Sequence, residues 1–169
     1  MTMRRKAILV PANPYDLIDI GGKGVLITRD LGDVEKHIEH LKAYGGVIWG
    51  MWPPGGRSFP WKHPEIRTGY FYIAKDQVVR YKFELMSPIR RLKDFSKSEW
   101  SEVEKYLPPV RKQTHEILAD TIGDAFMLII KSISRLRKER RLNEFKRWDN
   151  GMPVKMCRNY VIIEDPGYT

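Results

Sequence analysis

The sequence predicts a small α+β protein, a mixed β-barrel with flanking helices. Three observations lead there. Apolar segments of strand length recur along the chain, about six of them, with short helical patterns between. One of them, Val78 to Met86, alternates cleanly, with Val79, Tyr81, Phe83 and Leu85 on one side and Arg80, Lys82 and Glu84 on the other. The 169 residues, 42% hydrophobic and 30% charged, suffice for one domain with a real core and would be a squeeze for two.

The elements follow in order. Lys6 to Val10 is a strand ended by Pro11, and Asn13-Pro14-Tyr15-Asp16 reads as a turn. Gly21-Gly22-Lys23-Gly24 is a flexible loop before a short strand, Val25 to Thr28. Asp33 caps a helix carrying Val34, Ile38 and Leu41 at helical spacing, and Gly45-Gly46 closes it. Val47 to Met51 is a strand. Trp52 to Thr68 holds Pro53, Pro54, Pro60 and Pro64, which excludes regular structure there. Gly69 to Ala74 and Val78 to Met86 form a hairpin across Lys75-Asp76-Gln77. Ser96 and Glu99 make a capping box for a helix from Lys97 to Tyr106. Pro108-Pro109 breaks it, and Val110 to Ala119 reads as helical again. Phe126 to Ile133 is a strand, Asn150-Gly151 a turn, and Asn159 to Ile163 a last strand. Residues 1–169 thus read as one domain, with 165–169 an exit into a linker or tail.

Charge narrows the partner. Lys and Arg number 30 against 21 Asp and Glu, a formal +9, which points to a polyanion. The run from Lys131 to Arg147 lacks the wide apolar face of an interfacial helix, so nucleic acid is favoured over a membrane. No apolar run approaches the roughly 18 residues of a membrane span. Ala7 to Val10 is too short for a signal-peptide core, and the single Cys157 excludes an internal disulfide and a cysteine-based zinc site. The expected location is the cytoplasm.

Catalytic signatures are missing. There is no phosphate-binding loop of the NTPase type and no nucleophile elbow. His37 and His40 lie three apart with no third ligand, and read as residues of a surface helix. Cys157 reads as buried or incidental. No catalytic residue, metal or cofactor is expected. The aromatics are more telling. Trp49, Trp52, Phe59, Trp61, Tyr70 and Tyr72 fall between positions 49 and 72, and alternation sends part of this set to the core. The others sit on or beside a proline-rich loop, where aromatics line pockets. Trp49, Trp52, Phe59, Trp61 and Tyr72 are therefore the candidate cage for a base, since stacking contributes roughly 1–3 kcal/mol per base. Arg57, Lys62, Arg111, Lys112 and Arg137 are the candidate phosphate contacts.

The order of motifs resembles the EVE family of the PUA-like superfamily. The resemblance rests on a helix leading into Val47-Ile48-Trp49-Gly50, a variable loop, Gly69-Tyr70-Phe71-Tyr72-Ile73 and Val78-Val79-Arg80-Tyr81. Later come Ile130-Lys131-Ser132-Ile133, Leu142-Asn143-Glu144-Phe145, Asn150-Gly151 and Tyr160-Val161-Ile162-Ile163. It implies an EVE/YTH-type barrel that flips a modified base, N6-methyladenine in DNA foremost, into an aromatic cage. Trp49 is the cage residue carried by the Trp-Gly motif. It also implies an N-terminal specificity module of an archaeal McrB-like restriction system, with a GTP-dependent motor and a nuclease outside this chain. Two alternatives stay open: an RNA-binding PUA-like protein acting on tRNA or rRNA, and an ASCH-type enzyme acting on modified nucleosides.

Overall fold

Alternation builds the centre of the fold. The strand Val78–Leu85 (β6) buries Val79, Tyr81, Phe83 and Leu85 and leaves the residues between them half-buried. It pairs antiparallel with Thr68–Ile73 (β5) across the turn, where Gln77 takes a φ of 55°. The computed structural model describes residues 4–12, 16–20, 23–27, 34–51, 59–107 and 126–169, with 16–20, 23–27 and 51 as backbone alone. Lys6–Ala12 (β1) lies parallel to β5 and antiparallel to Val161–Glu164 (β9). Phe126–Arg140 (β8) pairs β6 along one edge and Val47–Met51 (β4) along the other. Arg90–Arg91 (β7) adds a short pairing to β8. The result is one mixed seven-stranded sheet in the order β4-β8-β6-β5-β1-β9, with the helices Val34–Tyr44 (α1) and Lys97–Val103 (α2). This is the expected α+β class.

The sheet curls. Trp49 of β4 and Phe71 of β5 have two strands between them, yet their rings meet at 4.6 Å. In a flat sheet those strands would lie roughly 14 Å apart. Among the described residues no ladder joins β9 back to β4, so the hydrogen-bonded path is open. The concave side holds the main core, drawn from β1, β4, β5, β6 and β8, with Val34 of α1. Outward-facing Tyr70, Leu9 and Ile163 form a second cluster with Phe145, Val154 and Cys157. A third joins Ile48, Met127 and Ile129 to Leu92 and Leu107, with Trp100 and Tyr106 packed on it. The sheet is therefore buried on both faces over much of its area, which is why Tyr70 and Phe71 are both inaccessible.

Gly69 sits where two of these demands meet. It is paired directly across from Phe83, whose ring lies over its backbone, and a Cβ at this position would overlap that ring. The need is for space, not for a left-handed φ. Gly69→Ala is expected to destabilise the fold by about 1–3 kcal/mol through overpacking. Thermal denaturation would read this as a fall of several degrees. Adding Phe83→Leu should recover part of the loss, and an unchanged melting temperature for Gly69→Ala would refute the account.

Local signals account for the helices. Ser96 Oγ accepts from the Glu99 amide at 3.2 Å and Glu99 Oε1 accepts from the Ser96 amide at 3.1 Å, the expected capping box of α2. Arg90 adds a bond to Glu99, and together these hold its carboxyl down at about 2. Gly45 ends α1 at φ 79°, donating its N–H to the Leu41 carbonyl at 2.8 Å. The histidines of α1 correct the surface reading. His37 is 1% exposed with its ring 4.4 Å from Trp49, and His40, 8% exposed, donates from Nε2 to the Lys105 carbonyl at 2.8 Å. A helix lying between the sheet and the turn at Glu104–Tyr106 is covered over a wide arc, so polar residues beside its apolar stripe are enclosed too.

Other differences have similar causes. β8 runs on to Arg140 instead of ending at Ile133, because β6 supplies ladder partners as far as Val79. Lys131, Arg135, Arg137 and Lys138 are thus exposed residues of a strand. Asp16–Ile20 (β2) and Lys23–Ile27 (β3) form a hairpin in which Ile20 pairs with Lys23, so Lys23 and Gly24 belong to a strand and not to a loop. In the stretch 165–169, Pro166, Gly167 and Thr169 are exposed while Tyr168 is half-buried. The Arg140 guanidinium lies 3.9 Å from the Tyr168 ring centre, and the Tyr168 hydroxyl donates to the Glu144 carbonyl at 2.9 Å. The turn at 13–15, the Asp33 cap, Pro108-Pro109 and the helix expected at 110–119 lie outside the described residues.

Candidate nucleic-acid interface

A cleft of about 480 Å³ opens at the Lys6 end of the sheet, between the loop before β5 and the segment before the Asn150-Gly151 turn. Pro60 starts a short 3-10 turn over Pro60–Lys62. Lys62 and His63 donate their N–H groups to the Phe59 and Pro60 carbonyls at 2.9 and 3.0 Å. Trp61 anchors this turn against the core, 5.9 Å from Phe126, while Phe59, Lys62 and His63 line the cleft. The facing wall is Arg147, Trp148 and Asp149. It is fixed to the sheet by Trp148 N–H donating to the Ile162 carbonyl at 3.0 Å and by the Arg147–Ile163 bridge. Gly151, at φ 70°, turns the chain behind it. Tyr160 and Ile162 complete the lining, with Tyr160 edge-on to Phe126 at 5.5 Å.

Cations gather here. The Arg4 guanidinium lies 4.2 Å and the Lys6 ammonium 5.1 Å from the Trp148 ring centre. Among the described residues, three cations here have carboxylate partners: Arg4 with Glu164, Lys6 with Glu65, and Arg147 with Asp149. These pairs hold the Glu65 and Asp149 carboxyls below their ordinary range. Lys62 is exposed, with its ammonium 4.8 Å from the Phe59 ring and no carboxylate partner among the described residues. Among the described residues the site therefore offers aromatic faces, a half-apolar floor and one cation without a carboxylate partner.

The four described candidate cage residues, Trp49, Phe59, Trp61 and Tyr72, do not form one cage. Phe59 and Trp61 are neighbours, with rings 5.3 Å apart. Trp49 is 5% exposed in the core, held between His37 and Phe71. Tyr72 lies toward the other end of the sheet, in a second cleft of about 470 Å³ with Gln77 and Arg141. Burial raises its hydroxyl. Trp52 lies outside the described residues. Among the candidate phosphate contacts, Lys62 is in the cleft, and Arg137 is exposed on the far half of β8, where its backbone N–H meets the Thr169 backbone oxygen at 3.1 Å. Arg57, Arg111 and Lys112 lie outside the described residues. Sequence reasoning missed Trp148, Tyr160 and His63 as one group. Cys157 is buried, and desolvation pushes its thiol up to about 12. Among the described residues no three His, Cys, Asp or Glu side chains cluster as a metal site, and no helix is long and apolar enough to cross a membrane.

No family model, curated protein or solved structure matches this chain.

Proposed function

We propose that this chain binds nucleic acid and takes a single base into the cleft between Phe59, Trp148 and Tyr160, while Lys62 meets the backbone. The observation that carries the reading is the cleft itself, aromatic on both walls and cationic at its rim, on a protein of net charge +9. Its volume lies within the roughly 300–1,000 Å³ of ligand sites. Flat aromatic faces suit a flipped base, which loses stacking when it leaves its duplex. N6-methyladenine in DNA is the favoured ligand, because the methyl group adds apolar contact to a half-apolar pocket. The curled mixed sheet and the Trp49-Gly50 motif support a PUA-like, EVE-type module, here the recognition part of a modification-dependent restriction system. The stacking role falls to the cleft aromatics instead of Trp49.

Fluorescence anisotropy with matched DNA duplexes, one carrying a single N6-methyladenine, tests this, with RNA of the same sequence alongside. Tenfold or greater preference for the methylated duplex is expected. Equal affinity sinks the modified-base part, and preference for RNA moves the reading to the RNA-binding alternative. Lys62→Gln should weaken binding to both duplexes alike. It should also reduce the slope of log affinity against log salt by about 0.9, as expected for one lost phosphate contact. An unchanged slope would remove Lys62 from the backbone contacts.

A further inference from the structure

Among the described residues His63 is the one imidazole lining the cleft, and its environment fixes which of its nitrogens carries the proton. Its backbone is held on both sides, with its N–H donating to Pro60 and its carbonyl accepting from Ile66 at 3.1 Å. Its Nδ1 lies 3.2 Å from the Lys6 ammonium. An ammonium group has three donors and no acceptor. A proton on Nδ1 would set two donors against each other at that distance. The Glu65 carboxylate does not offer Nδ1 a better partner, since its Oε1 is 3.7 Å away and lies 2.5 Å from Lys6 Nζ. Lys6 is itself placed by β1, by the Glu65 pair and by the Trp148 face. With Nδ1 committed as an acceptor, Nε2 must hold the proton of the neutral ring. Nε2 has no protein partner among the described residues.

We infer that Lys6 locks His63 as the Nε2–H tautomer, and that this nitrogen is a specificity-determining donor for an acceptor atom on the edge of the bound base. The inference rests on the cleft reading above and names what the cleft selects. A neutral N–H suits an uncharged ring nitrogen or carbonyl, whereas phosphate is better met by a cation such as Lys62. An exocyclic amine presented at this point would leave two donors opposed, which excludes that orientation of the base. His63 is the binding residue and Lys6 a positioning residue acting through it.

Two measurements test this. Long-range proton–nitrogen correlation spectra of the ¹⁵N-labelled protein at neutral pH should show His63, assigned by its loss in His63→Gln, with a protonated Nε2 and a bare Nδ1. Lys6→Met should release it to a mixture of tautomers. A protonated Nδ1 or a mixture in the unaltered protein overturns the lock. Binding is then compared for single-stranded DNA carrying a central N6-methyladenine, its three deaza analogues that each lack one ring acceptor, or an abasic site. One deaza analogue should bind about tenfold more weakly, the loss of one hydrogen bond to a group left without a partner. That loss should vanish in His63→Leu and be partly kept in His63→Gln, which retains an N–H donor. If the abasic strand is weaker but all deaza analogues bind alike, the donor role fails while the cleft reading stands. If the abasic strand binds as well as the methylated one, both fail.

Discussion

Trp49→Ala is expected to lower stability by about 3–5 kcal/mol, the range for removing a large aromatic from a closed core. The ring sits at the meeting point of α1 and the concave face of the sheet, against His37 at 4.4 Å and Phe71 at 4.6 Å. Phe71 in turn packs on Phe83, so the aromatic contacts run from the helix across to the central hairpin. Truncation leaves a cavity that rigid strands on several sides cannot fill, and it strips His37 of its cover. The melting temperature should fall by about 10 °C. Preference for methylated over unmethylated DNA, measured well below that temperature, should persist. The opposite result, an unchanged melting temperature with lost preference, would return Trp49 to the base-contacting role implied by its Trp-Gly motif.

That contrast shows what could be read in the sequence. Strand β6 was legible because Tyr81, Phe83 and Leu85 meet the main core on one face, and period-two alternation records that directly; Val79, beyond a shift in register, packs into the second cluster instead. The capping box at Ser96 and Glu99 was legible because its geometry spans four consecutive residues. Trp49, by contrast, carries no local mark that separates a wall of a pocket from a piece of core. The curl of the sheet, which brings Phe71 to it across two intervening strands, decides the matter. Trp148 is the converse case. It stands between Arg147 and Asp149 in a charged, turn-bound segment that reads as solvated surface. Only pairing with Ile162, and the arrival of Arg4 and Lys6 from the other end of the chain, make it a wall. The far half of β8 was hidden for a related reason. Its run of exposed cations masks the alternation that pairing with β6 imposes.

Trp148→Ala should therefore produce the largest loss of binding with little loss of stability. Its ring is half-buried, lies outside the three core clusters, and is held by backbone pairing that alanine retains. Removing a stacking face is worth about 1–3 kcal/mol, a weakening of roughly five- to 150-fold. The loss should concentrate on the methylated base. Salt-dependent binding to unmethylated duplex depends on cations such as Lys62 and should remain. Trp148→Phe, which keeps a flat face for the base and for Arg4 and Lys6, should recover most of the affinity. Trp61→Ala serves as the comparison, since Trp61 packs on Phe126 and joins the main core, so its loss should lower the melting temperature as well. If Trp148→Ala keeps full preference for methylated DNA while Trp61→Ala loses it at an unchanged melting temperature, the stacking face belongs to the Phe59–Trp61 loop and the wall assigned to Trp148 has no part in reading the base.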